Sequence, residues 1–232
     1  MTRRIVAEGA GTALLLAAVV GSGIMGERLA GGNVAIALLA NTIATGAALV
    51  ALIPTFGPIS GAHFNPVVTL ADASQGGLSW RNVPAYIAAQ LCGAVLGVLT
   101  AHAMFNEPIL MISGHERSGG AQMLSEAVAT FGLLAVIWGC GRRRSGMVPF
   151  AVAAYIVAAY WFTASTSFAN PAVTVARAFT DTFAGIRPAD VPGFVTAQCA
   201  GGAAATWLFR WLVPPLSART EDVIVPHSNA PV

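Results

Sequence analysis

The side chains best placed to do chemistry in this sequence are amides and carboxylates. Two short stretches nearly coincide: Asn65-Pro66-Val67-Val68-Thr69-Leu70-Ala71-Asp72-Ala73 and Asn170-Pro171-Ala172-Val173-Thr174-Val175-Ala176-Arg177-Ala178. A primary amide can donate hydrogen bonds to a small molecule without exchanging a proton with it. Glu8 and Glu126 are the two acids that lie well inside apolar runs. Carboxylates at such depth either hold polar backbone or relay protons. No nucleophile–base pair, His cluster or metal-ligand spacing accompanies them, so the pattern excludes an obvious enzyme. No cofactor and no metal are expected.

The boxes need elements to position them. Asn is a strong N-cap and Pro is favoured at the first helical position, so each box reads as the start of a short helix. Each follows a small polar run, Ser60-Gly61-Ala62-His63-Phe64 or Ser165-Thr166-Ser167-Phe168-Ala169. The surroundings are apolar: 56% of the 232 residues are hydrophobic, 9% are charged, and mean hydropathy is +0.70. A soluble domain carries about 25% charged residues. The sequence therefore predicts an all-α integral membrane protein, and the net charge of +2 gives no case for nucleic acid. Within such a chain the boxes read as half-helices entering from opposite sides and meeting near the middle. Irregular backbone there is tolerated only in protein or along a water-filled cavity.

Six spans are predicted, over residues 5–25, 34–53, 83–105, 123–140, 148–162 and 193–213, each near the ~20 residues a bilayer needs. The boxes add two re-entrant half-helices, to about Ala73 and Phe179. The chain repeats itself: Ala7-Glu8-Gly9 answers Ser125-Glu126-Ala127, and Ala89-Gln90-Leu91-Cys92-Gly93 answers Ala197-Gln198-Cys199-Ala200-Gly201. Residues 1–120 form the first repeat and 121–213 the second. Residues 214–232 read as a disordered cytoplasmic tail. Three spans per repeat is an odd number, so the copies must be inverted. With the N-terminus inside, Arg3, Arg4, Arg81, Arg142 to Arg144 and Arg219 lie in the cytoplasm, which follows the positive-inside rule. All twelve basic residues are Arg, a hint of GC-rich coding DNA and a bacterial inner (plasma) membrane, with both termini cytoplasmic. Cys92, Cys140 and Cys199 have no paired spacing and read as small buried hydrophobes.

Ser60-Gly61-Ala62-His63-Phe64-Asn65-Pro66, Asn170-Pro171-Ala172 and Tyr86-Ile87-Ala88-Ala89-Gln90 resemble the aquaporin (major intrinsic protein) family, over nearly all of residues 5–213. The resemblance implies six transmembrane helices plus two half-helices in an inverted three-helix repeat, a pore in each subunit and a homotetramer. It implies passive flux of small neutral solutes, with Asn65 and Asn170 donating at mid-pore beside Pro66, Val67, Pro171 and Ala172. Two departures stand out. Val67 replaces the usual Ala, and Val173 stands where the family usually has Arg in its narrowest constriction. Counting from the boxes gives a filter of Thr45, Ala158, Ser167 and Val173, small and with neither fixed cation nor aromatic. A wide neutral filter resembles the bacterial aquaglyceroporin-like branch, and Val in place of Arg is similar to members associated with arsenic resistance. Glycerol- or arsenite-like solutes and water are then the expected cargo.

The plainer readings stand beside these. Asn65 and Asn170 are N-caps whether or not they line a pore. Glu8 and Glu126 are expected to support the loops. His63 either lines the cytoplasmic half or ties down its loop. Arg177, one turn beyond Val173, either snorkels at the outer mouth or reaches back toward the filter. Inverted repeats with broken helices also suit a coupled secondary transporter, which remains the alternative function; flux that ignores pH and sodium gradients separates the two.

Overall fold

The computed structural model describes residues 1–141 and 145–213. Arg142 to Arg144, Arg219 and the tail predicted over 214–232 lie outside the described residues. Among the described residues eight α-helices follow in order: α1 Thr2–Leu29, α2 Val34–Ser60, α3 Pro66–Ser74, α4 Val83–Phe105, α5 Gly120–Gly141, α6 Val148–Phe162, α7 Pro171–Ala176 and α8 Val191–Leu212. Among the described residues five stretches are long and apolar enough to cross a membrane: α1, α2, α4, α5, and Ser145–Phe162, which contains α6. The remaining long helix, α8, has 22 residues. The two short helices, α3 and α7, both start at the Pro of an Asn-Pro box.

Packing follows the repeat. In the first half α1 lies against α2 and α4; in the second α5 lies against α6 and α8, and α2 meets α6 across the halves. Glycine lets these helices approach closely. A Cβ on Gly93 would collide with the backbone of Gly9, and one on Gly201 with that of Ala127. These four positions correspond in the sequence repeat. Both contacts bring together the helices that carry Glu and Gln, so they set the distance between those side chains.

Two expectations need correction. The second span does not stop at Pro54 but continues through Pro58 to Ser60. Pro54 and Pro58 lie on the exposed face of α2, and the helix is stopped instead by Gly61, left-handed at φ 91°, whose N–H bonds Gly57 O at 2.9 Å. A helix packed among neighbours in a membrane tolerates the N–H that a proline removes. The cysteines are not buried hydrophobes either: Cys92 and Cys199 are exposed and Cys140 is intermediate. Their helices turn those faces away from the core.

Candidate functional site

Each box is held by a frame of hydrogen bonds that begins in another helix. Before α3 the chain takes left-handed φ of 50° at both Ala62 and Phe64; before α7 it does so at Ser167, 50°, and Ala169, 49°. Such conformations cost about 1–3 kcal/mol each in non-glycine residues and persist only where surroundings fix them. Buried carboxylates do the fixing. Glu8 accepts from Ser60 Oγ at 2.7 Å, His63 N at 2.9 Å, Phe64 N at 2.8 Å and Gln90 Nε2 at 2.8 Å. Glu126 accepts from Phe168 N and Ala169 N, both at 2.9 Å, and Gln198 Nε2 at 2.6 Å. Each Gln amide also donates to a half-helix hydroxyl, Gln90 to Thr69 Oγ1 and Gln198 to Thr174 Oγ1.

The two Asn side chains finish the frame. Asn65 Oδ1 accepts from Val67 N at 2.9 Å, and Asn170 Oδ1 from Ala172 N at 2.9 Å. Both are thus N-caps that satisfy orphan helix donors. Across the middle, Asn65 Nδ2 donates to Ala169 O and Asn170 Nδ2 to Phe64 O, each at 2.8 Å. The half-helices therefore meet at their N-termini and are tied reciprocally. An amide nitrogen carries two donors, so one N–H of each Asn is left over from this tie.

A cavity runs past both amides. Its wall includes Asn65, Asn170, His63, Val68, Val173, Thr45 and Ser167, with an apolar side from Leu49, Leu133 and Ile156. Thr45, Ser167 and Val173, counted from sequence, are thus brought together on one wall. Ala158 is not: it is exposed on the far side of α6, while Ile156 and Tyr160 of the same helix line the cavity. Two residues along a helix is about 200° of rotation, so the count had selected the wrong face. The Tyr160 hydroxyl lies 3.3 Å from Thr45 Oγ1, which puts an aromatic where none was expected.

The two mouths differ. On the α3 side His63 lines the cavity, with Nδ1 3.1 Å from Thr69 Oγ1 and Nε2 3.5 Å from the Asp72 carboxylate. It both lines the space and ties down its loop. On the α7 side Arg177 does not snorkel. It is 2% exposed and lines the cavity beside Val173. Its guanidinium stacks 3.4 Å from the centre of the Phe168 ring, and Nε donates to Ala184 O. The expectation of a wall without a fixed cation is thereby overturned. A cation supplied one helical turn later reaches the same space, because Phe168 offers it a face to lie on. Arg117, from the segment between α4 and α5, also approaches Phe168, at 5.0 Å, and donates through Nε to Gly185 O at 2.8 Å. The sequence, which puts Arg117 between two predicted spans, gives it no role. Nothing in its local pattern signals the contact, which depends on Arg117 N bonding Asp190 Oδ2 and Arg187 N bonding His115 O. Burial, and then the charges of Arg117 and Arg177, push the nearby His115 imidazole below its usual range.

Known proteins resemble this chain in sequence and in fold. A family model described as Major intrinsic protein matches residues 1–149. Aquaglyceroporin AqpS of Rhizobium meliloti (strain 1021) is 57% identical over 215 residues, covering 93% of this chain and 92% of that protein. Aquaporin NIP1-1 of Zea mays is 32% identical over 197 residues, 78% of this chain and 66% of its own length. The X-ray structure of the aquaglyceroporin from Plasmodium falciparum superposes with a TM-score of 0.66 at 18% identity, over 92% of this chain and 97% of that one. At that identity it speaks for the fold.

Proposed function

The chain belongs to the major intrinsic protein family, and from that premise we propose that it conducts small uncharged solutes, glycerol- or arsenite-like, alongside water. It is an integral membrane channel for water and small solutes, and not an enzyme. The observation that carries the finer reading is the cavity that passes both capping Asn amides and opens past small side chains at Thr45, Ser167 and Val173. In our reading the Asn-Pro boxes, Asn65, Pro66, Val67, Asn170, Pro171 and Ala172, supply donors at mid-pore. Thr45, Tyr160, Ser167 and Val173 form the filter, with Arg177 as its cation. The remaining amide donors replace part of a solute's hydration, while the apolar wall passes its carbon or methyl face. The positive ends of both half-helices face the pore centre and disfavour cations and protons. We therefore expect no ionic conductance.

The carboxylates favour a channel over a coupled carrier. Glu8 takes four donors on its two oxygens, about as many as an ionised carboxylate has lone-pair positions. A carboxylate so engaged does not pick up and release a proton in a transport cycle. We further propose a homotetramer of inverted repeats, 1–120 and 121–213, in a bacterial inner membrane with the N-terminus cytoplasmic. Labelling of single cysteines placed at Gly119 and Ser145 from opposite faces tests the orientation. The deciding experiment is stopped-flow swelling of proteoliposomes in water, glycerol, urea and arsenite gradients. Glycerol and arsenite permeabilities well above those of protein-free vesicles, unchanged by pH and sodium gradients, are expected. Permeability to water alone, or solute flux driven by a proton or sodium gradient, would overturn the reading.

A further inference from the structure

We propose that the α7-side mouth binds a small oxyanion of the phosphate or sulfate class, and that an anion seated there obstructs the channel. The inference rests on the channel reading given above.

The site is built from two arginines that share one support. Arg177 and Arg117 both approach the Phe168 ring, at 3.4 and 5.0 Å from its centre. Their Nε atoms are held by consecutive carbonyls, Ala184 O for Arg177 and Gly185 O for Arg117. The Arg117 Nη1 has a further bond to Ser165 O at 3.3 Å. These contacts are all to neutral groups, so they position the guanidiniums without cancelling their charge.

Glu126 lies close enough to attract both arginines, but its oxygens are bound to Phe168 N, Ala169 N and Gln198 Nε2, and the other acids near this face are paired elsewhere. Glu107 pairs with Arg28 at 2.7 Å, and Glu116 with Arg187 at 3.4 Å. Asp190 takes Arg187 at 2.9 Å and the backbone N–H of Arg117. Asp181 accepts from Gly114 N. Among the described residues no carboxylate forms an ion pair with Arg117 or Arg177. Two adjacent cations in a partly buried place repel each other, and an anion is what would relieve them. The nearby His115 imidazole is held below its usual range first by burial and then by the charges of Arg117 and Arg177, against the opposing pull of Asp181 and Glu27.

A third group points to a ligand independently. Ser167 Oγ is buried, lines the cavity beside Arg177, and has no hydrogen-bond partner among the described residues. A hydroxyl together with guanidinium forks matches the several oxygens of a tetrahedral oxyanion, where a halide would use only the charge. Arg177 and Ser167 belong to the cavity wall, so an anion on them stands in the path of the solute. Beyond them much of the wall is apolar, with Leu49, Leu133, Val152 and Ile156, so a charged oxyanion that moves further in loses hydration.

The test uses full-length protein in phosphatidylcholine vesicles, whose headgroups carry no net charge. Glycerol permeability is measured with sodium phosphate or sulfate on both sides, against chloride at matched ionic strength and osmolarity. Phosphate and sulfate should lower glycerol permeability several-fold and saturably, and chloride should not. The ratio of inhibited to uninhibited flux is then compared in Arg117→Gln and Ser167→Ala. Arg117→Gln should raise the half-inhibiting concentration by about tenfold, and Ser167→Ala by less. Titration calorimetry of the detergent-solubilised protein with phosphate gives binding without flux, and should show about tenfold weaker binding in Arg117→Gln. Flux and calorimetry both indifferent to phosphate, or equal inhibition of wild type and Arg117→Gln, would overturn the proposal. Should glycerol permeability fail even without anion, the channel reading falls, and calorimetry alone decides the anion site.

Discussion

The two halves of the cavity share one frame and differ in what it presents. Glu8, Gln90, Thr69 and Asn65 correspond to Glu126, Gln198, Thr174 and Asn170, and they make matching hydrogen bonds. The positions that face the mouths do not match in chemistry. His63 corresponds to Phe168, and Asp72 to Arg177. On the α3 side the pair is an imidazole and a carboxylate at 3.5 Å; on the α7 side it is a guanidinium on a ring at 3.4 Å. One backbone geometry thus supports an acid in one mouth and a base in the other. The lesson is that the frame is set by backbone donors, which every residue type carries, while the side chain one turn further on is free to vary.

The largest effect should come from breaking the frame itself. Glu126→Ala leaves the N–H groups of Phe168 and Ala169 and the amide of Gln198 without their acceptor, and each buried orphan costs about 1–3 kcal/mol. Glu8→Ala orphans four donors and should be worse. We expect neither variant to give a monodisperse, heat-stable species on detergent chromatography, with Glu8→Ala the poorer. If either melts like wild type, the shared frame does not hold the loops.

Next comes the proposed filter. Val173→Arg adds a second guanidinium in the space where Arg177 already lies, and should cut glycerol or arsenite permeability roughly tenfold or more while sparing water. Val68→Arg, at the related position on the α3 side, should give a different profile. Identical flux changes in the two variants would show that the halves are not functionally distinct. Unchanged glycerol flux in a normally inserted Val173→Arg would remove Val173 from the constriction.

A smaller effect is expected from Phe168→Leu. It removes the platform under Arg177, worth about 0.5–2 kcal/mol as a cation–π contact, and should lower the melting temperature by a few degrees. His63→Leu removes the imidazole contacts to Thr69, Asp72 and the Tyr86 ring but no platform for a cation, and should change melting less at neutral pH. The reverse order of the two melting shifts would contradict the asymmetry drawn between the mouths.

The smallest is a titration. His115 should titrate below its usual 6.5 in NMR, and Arg117→Gln should move it upward by removing one neighbouring charge. The folded imidazole binds its proton less readily than the unfolded one. Its contribution to stability is therefore complete above about 6.5 and lost as pH falls from there through the lower folded value. A His115 that titrates at or above 6.5 would deny the positive field at this mouth.

Much of the protein was legible in the sequence because its signals are local or repeated. An Asn-Pro pair announces a helix start wherever it occurs, six apolar runs announce spans, and the matching Glu and Gln positions announce an internal repeat. Thr45, Ser167 and Val173 lie within short ungapped counts of recognisable landmarks, and they do share the cavity wall. What the sequence could not decide was the rotation of α6 and the path of long side chains. Ala158 and Tyr160 differ by two residues, and only the packing of α6 against α2 and α5 turns Tyr160 inward. The prolines of α2 read as a stop until the helix was seen with both on its exposed face. Arg177 could have reached water or the cavity; the Phe168 face just before α7, and the Ala184 carbonyl brought in by the chain after it, decided it. Arg117 joined it from 60 residues earlier in the chain. The periodicity of a sequence fixes which elements form, whereas the direction of a flexible cationic side chain depends on which ring and carbonyls the tertiary fold places within its reach.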